Sequence, residues 1–418
     1  MDRSYWLSPA WSTEPPPVSL SEAELLGDIR QRLFSPQSSR SPHTIGVELE
    51  LIPVYTATRL PALPRGDRDI STVDVLSAVA ASEGWTAEIA ENDPPSWTLT
   101  DGARISFEPG GQIEISSAPH TTASSVVRAI QKVVSTIRPA MAAAGIDLLA
   151  AGVDPCNNID VVRLQLLRDR YARMTRYFES IGPSGVRMMR QTAAVQVNVE
   201  RGPTPLERWR LLNSLAPYVV ALFANSRNYG GHPTDHASYR AYLWRSLDPS
   251  RTGVPYALRD DPSERYLQFA LDAKAMRSSD GAQPWSSFRD WMRTGIPTWE
   301  DWHFHLSTLF PEIRPKQFFE IRSADAVDSD RLAAPVVFVV GLVYDEQSAA
   351  RASEIVRAPS EELLERAGRV GLADPEIRRV ASELTQIALS GADRLGDAYV
   401  AGEDIAVARE YFDVALRV

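Results

Sequence analysis

An α+β fold, in which strands with one polar face and one core face are accompanied by amphipathic helices, is predicted by three features of this 418-residue sequence. Four short segments alternate apolar residues with Glu, Gln or Asn. A long amphipathic run, Ala123 to Ala144, follows the second of them. The stretch from Ser360 to Val418 reads as a run of three helices.

The strands carry the argument. In Thr44 to Ile52, Ile45, Val47, Leu49 and Leu51 alternate with Gly46, Glu48 and Glu50, so a two-residue period puts both carboxylates on one face and the core on the other. In Ile105 to Ser116, Pro109-Gly110-Gly111 breaks two strand-like pieces. Glu108 then falls just before the turn, and Gln112 and Glu114 alternate against Ile113 and Ile115. Ala194 to Glu200 alternates three valines with Gln196, Asn198 and Glu200, and Gln317 to Arg322 sets Phe319 and Ile321 against Glu320 and Arg322. A solvated antiparallel sheet also alternates in this way. Its wet face, however, favours Thr and Lys, whereas Glu, Gln and Asn are neutral or poor strand residues. Four strands sharing that choice fit oxygen ligands for a hard cation such as magnesium. Arg322, two residues from Glu320, shares its face, where its planar fork suits a phosphoryl oxygen; an ion pair with a neighbouring Glu is the competing reading.

Helical periodicity is clear in Ala123 to Ala144, where Val126, Val127, Ile130, Val133, Val134 and Ile137 form one face, and recurs in Leu206 to Ala224. The C-terminal run divides into three helices near Gly371 to Pro375 and near Gly391. Residues 1–42 read as a Pro- and Ser-rich arm around one capped helix, Ser21 to Phe34, and 43–418 as a single domain ending in the helical part from about 360. The stretches Arg59 to Arg65 and Asn92 to Trp97 read as surface loops.

A net charge of −10 disfavours a nucleic-acid surface. One cysteine, Cys156, rules out an intrachain disulfide, and neither a signal-peptide core nor an uninterrupted apolar span is present. A cytoplasmic setting is expected, without membrane or nucleic-acid partners. No P-loop, dinucleotide fingerprint, HExxH or GxSxG occurs. His303 and His305 make a poor zinc set alone; His303 is expected at the surface and His305 at the site or in the core. Cys156 has no His nearby in sequence to activate it. Of the tryptophans, Trp244 stands out, because Tyr239 to Trp244 precedes the loop Asp248-Pro249-Ser250-Arg251-Thr252-Gly253, where Arg240 and Arg251 suit an anionic substrate.

Taken as a series, these segments resemble the glutamate–cysteine ligase family of plants and many bacteria, nearest its actinobacterial branch that feeds ergothioneine or related thiol synthesis. The motifs are Gly46-Val47-Glu48-Leu49-Glu50, Phe107 to Glu114, Met188 to Asn198, Ala224-Asn225-Ser226, Asp248 to Gly253, and His305 to Pro311 followed by Glu320-Ile321-Arg322. The resemblance implies a glutamine-synthetase-like catalytic domain, a curved antiparallel sheet with a polar inner face and helices outside. It implies ATP as co-substrate, Mg2+, glutamate activated as an acyl phosphate, and an amine, cysteine in the named family, displacing phosphate. It assigns Glu48, Glu50, Glu108, Glu114 and Glu320 to metals, with Gln196 and Asn198 orienting metals or nucleotide. Arg322, with Glu320, would act on the transferring phosphoryl group, and Arg240, Trp244 and Arg251 would bind substrate.

Two departures bear on the pocket: Gln191-Thr192-Ala193-Ala194 stands where plant members have Arg-Thr-Cys-Thr, and Arg240-Ala241-Tyr242 where they have Arg-Ser-His. A lone cysteine also removes the disulfide switches of plant members. A γ-glutamyl ligase using another amine, a two-metal phosphoester hydrolase and a non-catalytic binding protein remain open on sequence alone.

Overall fold

In the computed structural model, which describes residues 20–38, 43–65, 70–255, 260–276 and 285–417, all four alternating segments lie side by side in one antiparallel sheet. Its strands are β1 (Ile45–Tyr55), β2 (Thr86–Glu88), β3 (Ser96–Thr98), β4 (Arg104–Phe107), β5 (Ile113–Ser116), β6 (Ile146–Leu149) and β7 (Ala194–Val199). After the small hairpin β8 (Asn228–Tyr229) and β9 (His232–Pro233), β10 (Ile313–Pro315) and β11 (Phe319–Asp325) complete it. The order is β10-β11-β7-β1-β5-β4-β3-β2, with β6 paired to the far half of β1. Register brings the polar positions into rows: Glu48 faces Gln196 and Ser116, Glu50 faces Glu114, and Glu320 faces Asn198.

The apolar positions of β1, namely Ile45, Val47, Leu49 and Leu51, are each at most 1% exposed. Helices Ala123–Ala143, Pro205–Leu222 and Ala333–Val343 pack on that face. A second group, Asp169–Ile181, Pro183–Gln191 and Tyr239–Leu247, forms a smaller apolar cluster through Met174, Tyr177, Met188 and Trp244. These helices roof the polar face, so the sheet has helical cover on both sides and its carboxylates face a cavity rather than open water. The row is also closed at one end. Beyond Glu50 the same face of β1 carries Ile52 and Val54, both buried against Ala193 and Ala326.

The arm helix, Glu22–Arg32, starts as expected: Ser21 accepts the Glu24 amide and Glu24 reaches back to the Ser21 amide. Its Leu25 and Ile29, with Phe34 edge-on to Trp209 at 5.3 Å, belong to the main core.

Three expectations change. The stretch Asn92 to Trp97 is not simply a surface loop: it ends in β3, where Trp97 pairs with Ile105 and is 1% exposed, and Asp93 is buried. The final helix break falls at Gly396, in the left-handed region at φ 86°, whereas Gly391 lies inside the helix Pro375–Leu395. Gly391 is there for contact, since a Cβ on it would meet the Gly341 carbonyl oxygen at 2.1 Å, and one on Gly341 would meet that of Ala388 at 2.1 Å. The fourth strand also has an unforeseen partner, β10, masked in the sequence by Pro315. Among the described residues no single helix is long and apolar enough to cross a membrane.

Because the two helices meet backbone to backbone, Gly391→Ala is expected to lower unfolding free energy by about 1–3 kcal/mol, read as a lower urea midpoint. A midpoint equal to the parent's would show that the crossing has slack.

Candidate active site

Glu50 is held at the centre of the polar face. Its carboxylate accepts the Ala194 amide and the Gln196 side-chain amide, each at 2.9 Å. Glu48 accepts the Asn198 amide at 2.9 Å. Glu114 accepts the hydroxyls of Ser106 and Ser116 at 3.1 Å. Glu108 comes from the turn Pro109-Gly110-Gly111, locked by Gln112, which accepts the Gly110 amide at 3.0 Å and donates to the Thr192 carbonyl at 2.8 Å. Gly110 must be glycine here, because a Cβ would sit 1.9 Å from the Arg190 carbonyl oxygen.

Glu50, Glu108 and Glu114 each bring one oxygen within 4.8 Å of the others. Burial first, then the like charges of its neighbours, pushes Glu48 up to about 7, Glu50 up to about 7, and Glu108 well above the usual carboxylate range. A group of hard oxygens that repel one another fits a divalent cation, whose charge would ionise all of them.

Glu320 lies at the other side of β7 and is fully buried. Burial alone would raise its carboxyl, but Arg314, Arg322 and Lys316 hold it well below the usual range. Arg314 grips it with two nitrogens at 2.6 and 2.9 Å, Lys316 at 2.5 Å and Arg322 at 2.7 Å. The Arg322–Glu320 ion pair is therefore present, yet Arg322 also donates to Gln196 at 2.7 Å, and its buried Nε has no hydrogen-bond partner.

Glu48, Glu50, Glu108, Glu114, Gln196, Arg314 and Arg322 line one cavity of about 230 Å3 beneath the roof helices; Glu320, expected among the metal ligands, stands behind Arg314 and Arg322 and is not part of its wall. Two guanidiniums lie against the ring of Trp244, Arg240 at 5.1 Å and Arg322 at 5.2 Å from its centroid, and its indole N–H bonds the Phe310 carbonyl at 2.8 Å. Arg240 donates to the Arg322 carbonyl at 2.8 Å, and its Nε also lacks a partner. Met174, Met188 and Met189 form the apolar part of the wall.

Of the residues predicted from sequence, Glu48, Glu50, Glu108, Glu114, Gln196, Arg240, Trp244 and Arg322 line this cavity. Asn198 stands behind Glu48, its side-chain oxygen buried without a partner. Arg251, expected at the substrate, does not face the cavity. It is fully buried under Tyr177, with its donors spent on Asp248, Thr308 and the Lys274 carbonyl, so it braces the loop after the Trp244 helix. Tyr242, one of the departures expected to alter the pocket, points outward, 40% exposed and stacked on Tyr239 and His236. His305 is a core residue between Phe288 and Trp302, pushed down to about 3 by burial, and donates to or accepts from nothing in the cavity. His303 is half-buried beside Asp28. Sequence reasoning missed Arg314, Arg170 and Lys316. The signal was available for the first: Arg314 stands opposite Glu320 across a hairpin.

Fold and site define an ATP-dependent carboxylate–amine ligase. More particularly, the chain belongs to glutamate–cysteine ligase family 2, whose model matches residues 44–410, and whose function is the ATP-dependent formation of γ-glutamylcysteine. It is 34% identical over 334 residues to glutamate–cysteine ligase EgtA of Mycolicibacterium smegmatis, covering 76% of this chain and 75% of that one. It is 32% identical over 351 residues to chloroplastic glutamate–cysteine ligase A of Oryza sativa subsp. japonica, covering 77% and 70% respectively. The structure of glutamate–cysteine ligase from Francisella tularensis in complex with AMP shares the fold at a TM-score of 0.52 and 11% identity, over 91% of this chain and 84% of that one.

The raised carboxyls fix the sign of a pH effect. Between the usual carboxylate pKa, about 4.3, and the native values the folded chain retains protons that the unfolded chain has released, so stability falls as pH rises through that window. In EDTA, Glu108→Gln is expected to gain melting temperature over the parent as pH goes from 5 to 8, and added magnesium to stabilise the parent more than the variant at pH 8. A difference independent of pH would show that the carboxyls are not strained. Trp244→Leu, which releases two guanidiniums, is expected to lower kcat/KM roughly tenfold; unchanged kinetics would remove the stack from the working site.

Proposed function

We propose that this ligase joins L-glutamate to L-cysteine, with ATP as co-substrate and magnesium as its cation, through a γ-glutamyl phosphate. The observation that carries the reading is the meeting, in one cavity, of the Glu50–Glu108–Glu114 oxygens with the guanidinium of Arg322, whose buried Nε is still unpaired. Glu50, Glu108 and Glu114 would hold one cation, and Glu48 with Glu320 a second in exchange for the Lys316 ammonium. Bound magnesium would neutralise the β- and γ-phosphates.

The residues of the chain do the rest. An oxygen of the glutamate γ-carboxylate bonds to the γ-phosphorus as the bond to ADP breaks; the acceptor nitrogen then bonds to the acyl carbon, phosphate leaves and the amine gives up a proton. Two negatively charged partners must meet in the first step, so stabilisation is chiefly electrostatic. Arg322 can offer its free Nε to the transferring phosphoryl group or the γ-carboxylate while Gln196 and Glu320 keep its plane fixed. Arg240, steadied by the ring of Trp244, is the second candidate for a substrate carboxylate. Gln196 and Asn198 orient Glu50 and Glu48 through their amide donors. The roof helices exclude water, which would otherwise hydrolyse the acyl phosphate.

Release of ADP from ATP, magnesium and glutamate should rise on adding cysteine, with γ-glutamylcysteine detected by mass. A panel of other amines giving product where cysteine gives none would replace the acceptor. Glu320→Ala and Arg322→Ala should each cut turnover by about 10³-fold or more with the far-UV spectrum kept; near-normal rates in both would overturn the site.

A further inference from the structure

A cavity of about 230 Å3 is smaller than the roughly 300–1,000 Å3 typical of small-molecule sites, and here it would have to receive cations, an amino acid and a nucleoside triphosphate. A second cavity, about 690 Å3, adjoins it and shares Arg170 and Arg314 as common wall. Its charge is one-sided. Arg32, Arg170, Arg201, Arg314, Lys316 and His303 line it, and no carboxylate does among the described residues. Three of these cations, and His303, are matched from behind: Glu320 holds Arg314 and Lys316, and Asp28 lies 3.8 Å from Arg32 and 3.2 Å from His303.

Arg170 and Arg201 are different. Arg170 spends its hydrogen bonds on the hydroxyl and carbonyl of Ser307, both neutral. Arg201 is only 7% exposed, donates to the Arg32 carbonyl at 2.8 Å, and its buried Nε has no partner. Neither has a carboxylate within ion-pair distance among the described residues. Burying a guanidinium without a counter-charge is unfavourable unless a ligand supplies one, and planar forks match phosphate oxygens. Leu33, Leu306 and Pro315 add apolar surface of the kind a base or ribose would cover.

One wall of this cavity lies outside the region the family model matches. Gln31, Arg32 and Leu33 end the arm helix, ahead of residue 44. The arm is fastened there: Gln37 bonds the Arg201 amide and the Gly202 and Gln317 carbonyls, and Arg30 bonds Asp261 and Ser263.

We propose that the larger cavity takes the nucleotide, its polyphosphate crossing Arg170 and Arg314 toward the carboxylates, and that the arm helix with Arg201 is a nucleotide-binding wall. The inference rests on the ATP-dependent reading above. Its test separates the two. In the full-length protein, Arg201→Gln should weaken Mg-ADP binding by titration calorimetry about tenfold and raise the KM for ATP in parallel, with the KM for glutamate within about twofold. Arg201→Lys, keeping charge but not the fork, should recover part of the loss. Gln31→Glu places a carboxylate at an exposed position of the same wall, and should weaken Mg-ADP about threefold without lowering the melting temperature.

Unchanged Mg-ADP affinity in Arg201→Gln and Gln31→Glu overturns the proposal. So does an equal rise in both KM values in Arg201→Gln that Arg201→Lys does not relieve, which would make Arg201 a structural brace. If the parent binds Mg-ADP but makes no γ-glutamyl product, the ligase reading fails and the nucleotide wall stands or falls on the calorimetry alone.

Discussion

Four carboxylates share one small cavity, where burial and the repulsion of like charges make Glu48, Glu50 and Glu108 resist ionisation, and much of this protein is arranged around that constraint. Glu48, Glu50 and Glu114 are each fixed by donors from the sheet, and Glu108 comes from the turn that Gln112 locks. The two-residue period of β1, β5 and β7 points them the same way, and the apolar half of that period anchors the strands in the core. Glu320 solves the same difficulty differently. It is ionised because three cations surround it, and it thereby sets the positions of Arg314 and Arg322 at the cavity edge. A buried carboxylate so arranged contributes orientation more than stability.

The roof gives this electrostatics its strength. Methionine and aromatic side chains from three helices keep the cavity apolar on one side, so the attraction between a guanidinium and an anionic ligand is little screened. Trp244 holds both Arg240 and Arg322 against its ring, keeping two like charges near each other and available.

Local alternation made the acidic face legible in the sequence, because a strand's period is a property of consecutive residues. Neighbouring placement of the four strands needed the family resemblance. What escaped was what depends on distant partners or on a broken rule. Pro315 hid β10, and with it the Arg314 clamp on Glu320. Gly391 looked like a helix breaker, yet it serves close approach to Gly341, a relation between segments fifty residues apart in the chain. Arg251 had the right type and neighbourhood for a substrate contact, but Asp248 and two carbonyls claim its fork. Arg170 gave no periodic signal, since its neighbours across the cavity come from other helices and strands.

The arm helix is the earliest described element of the chain, yet its fastenings are among the most remote in sequence. Gln37 bonds a carbonyl 280 residues away and Arg30 a carboxylate 231 residues away. During synthesis the helix leaves the ribosome long before either partner exists, and pairings at such separation come late in folding. The wall that the arm supplies can therefore be set only when some three-quarters of the polypeptide has been made, and an incomplete chain, whatever sheet it has formed, lacks that side of its larger cavity.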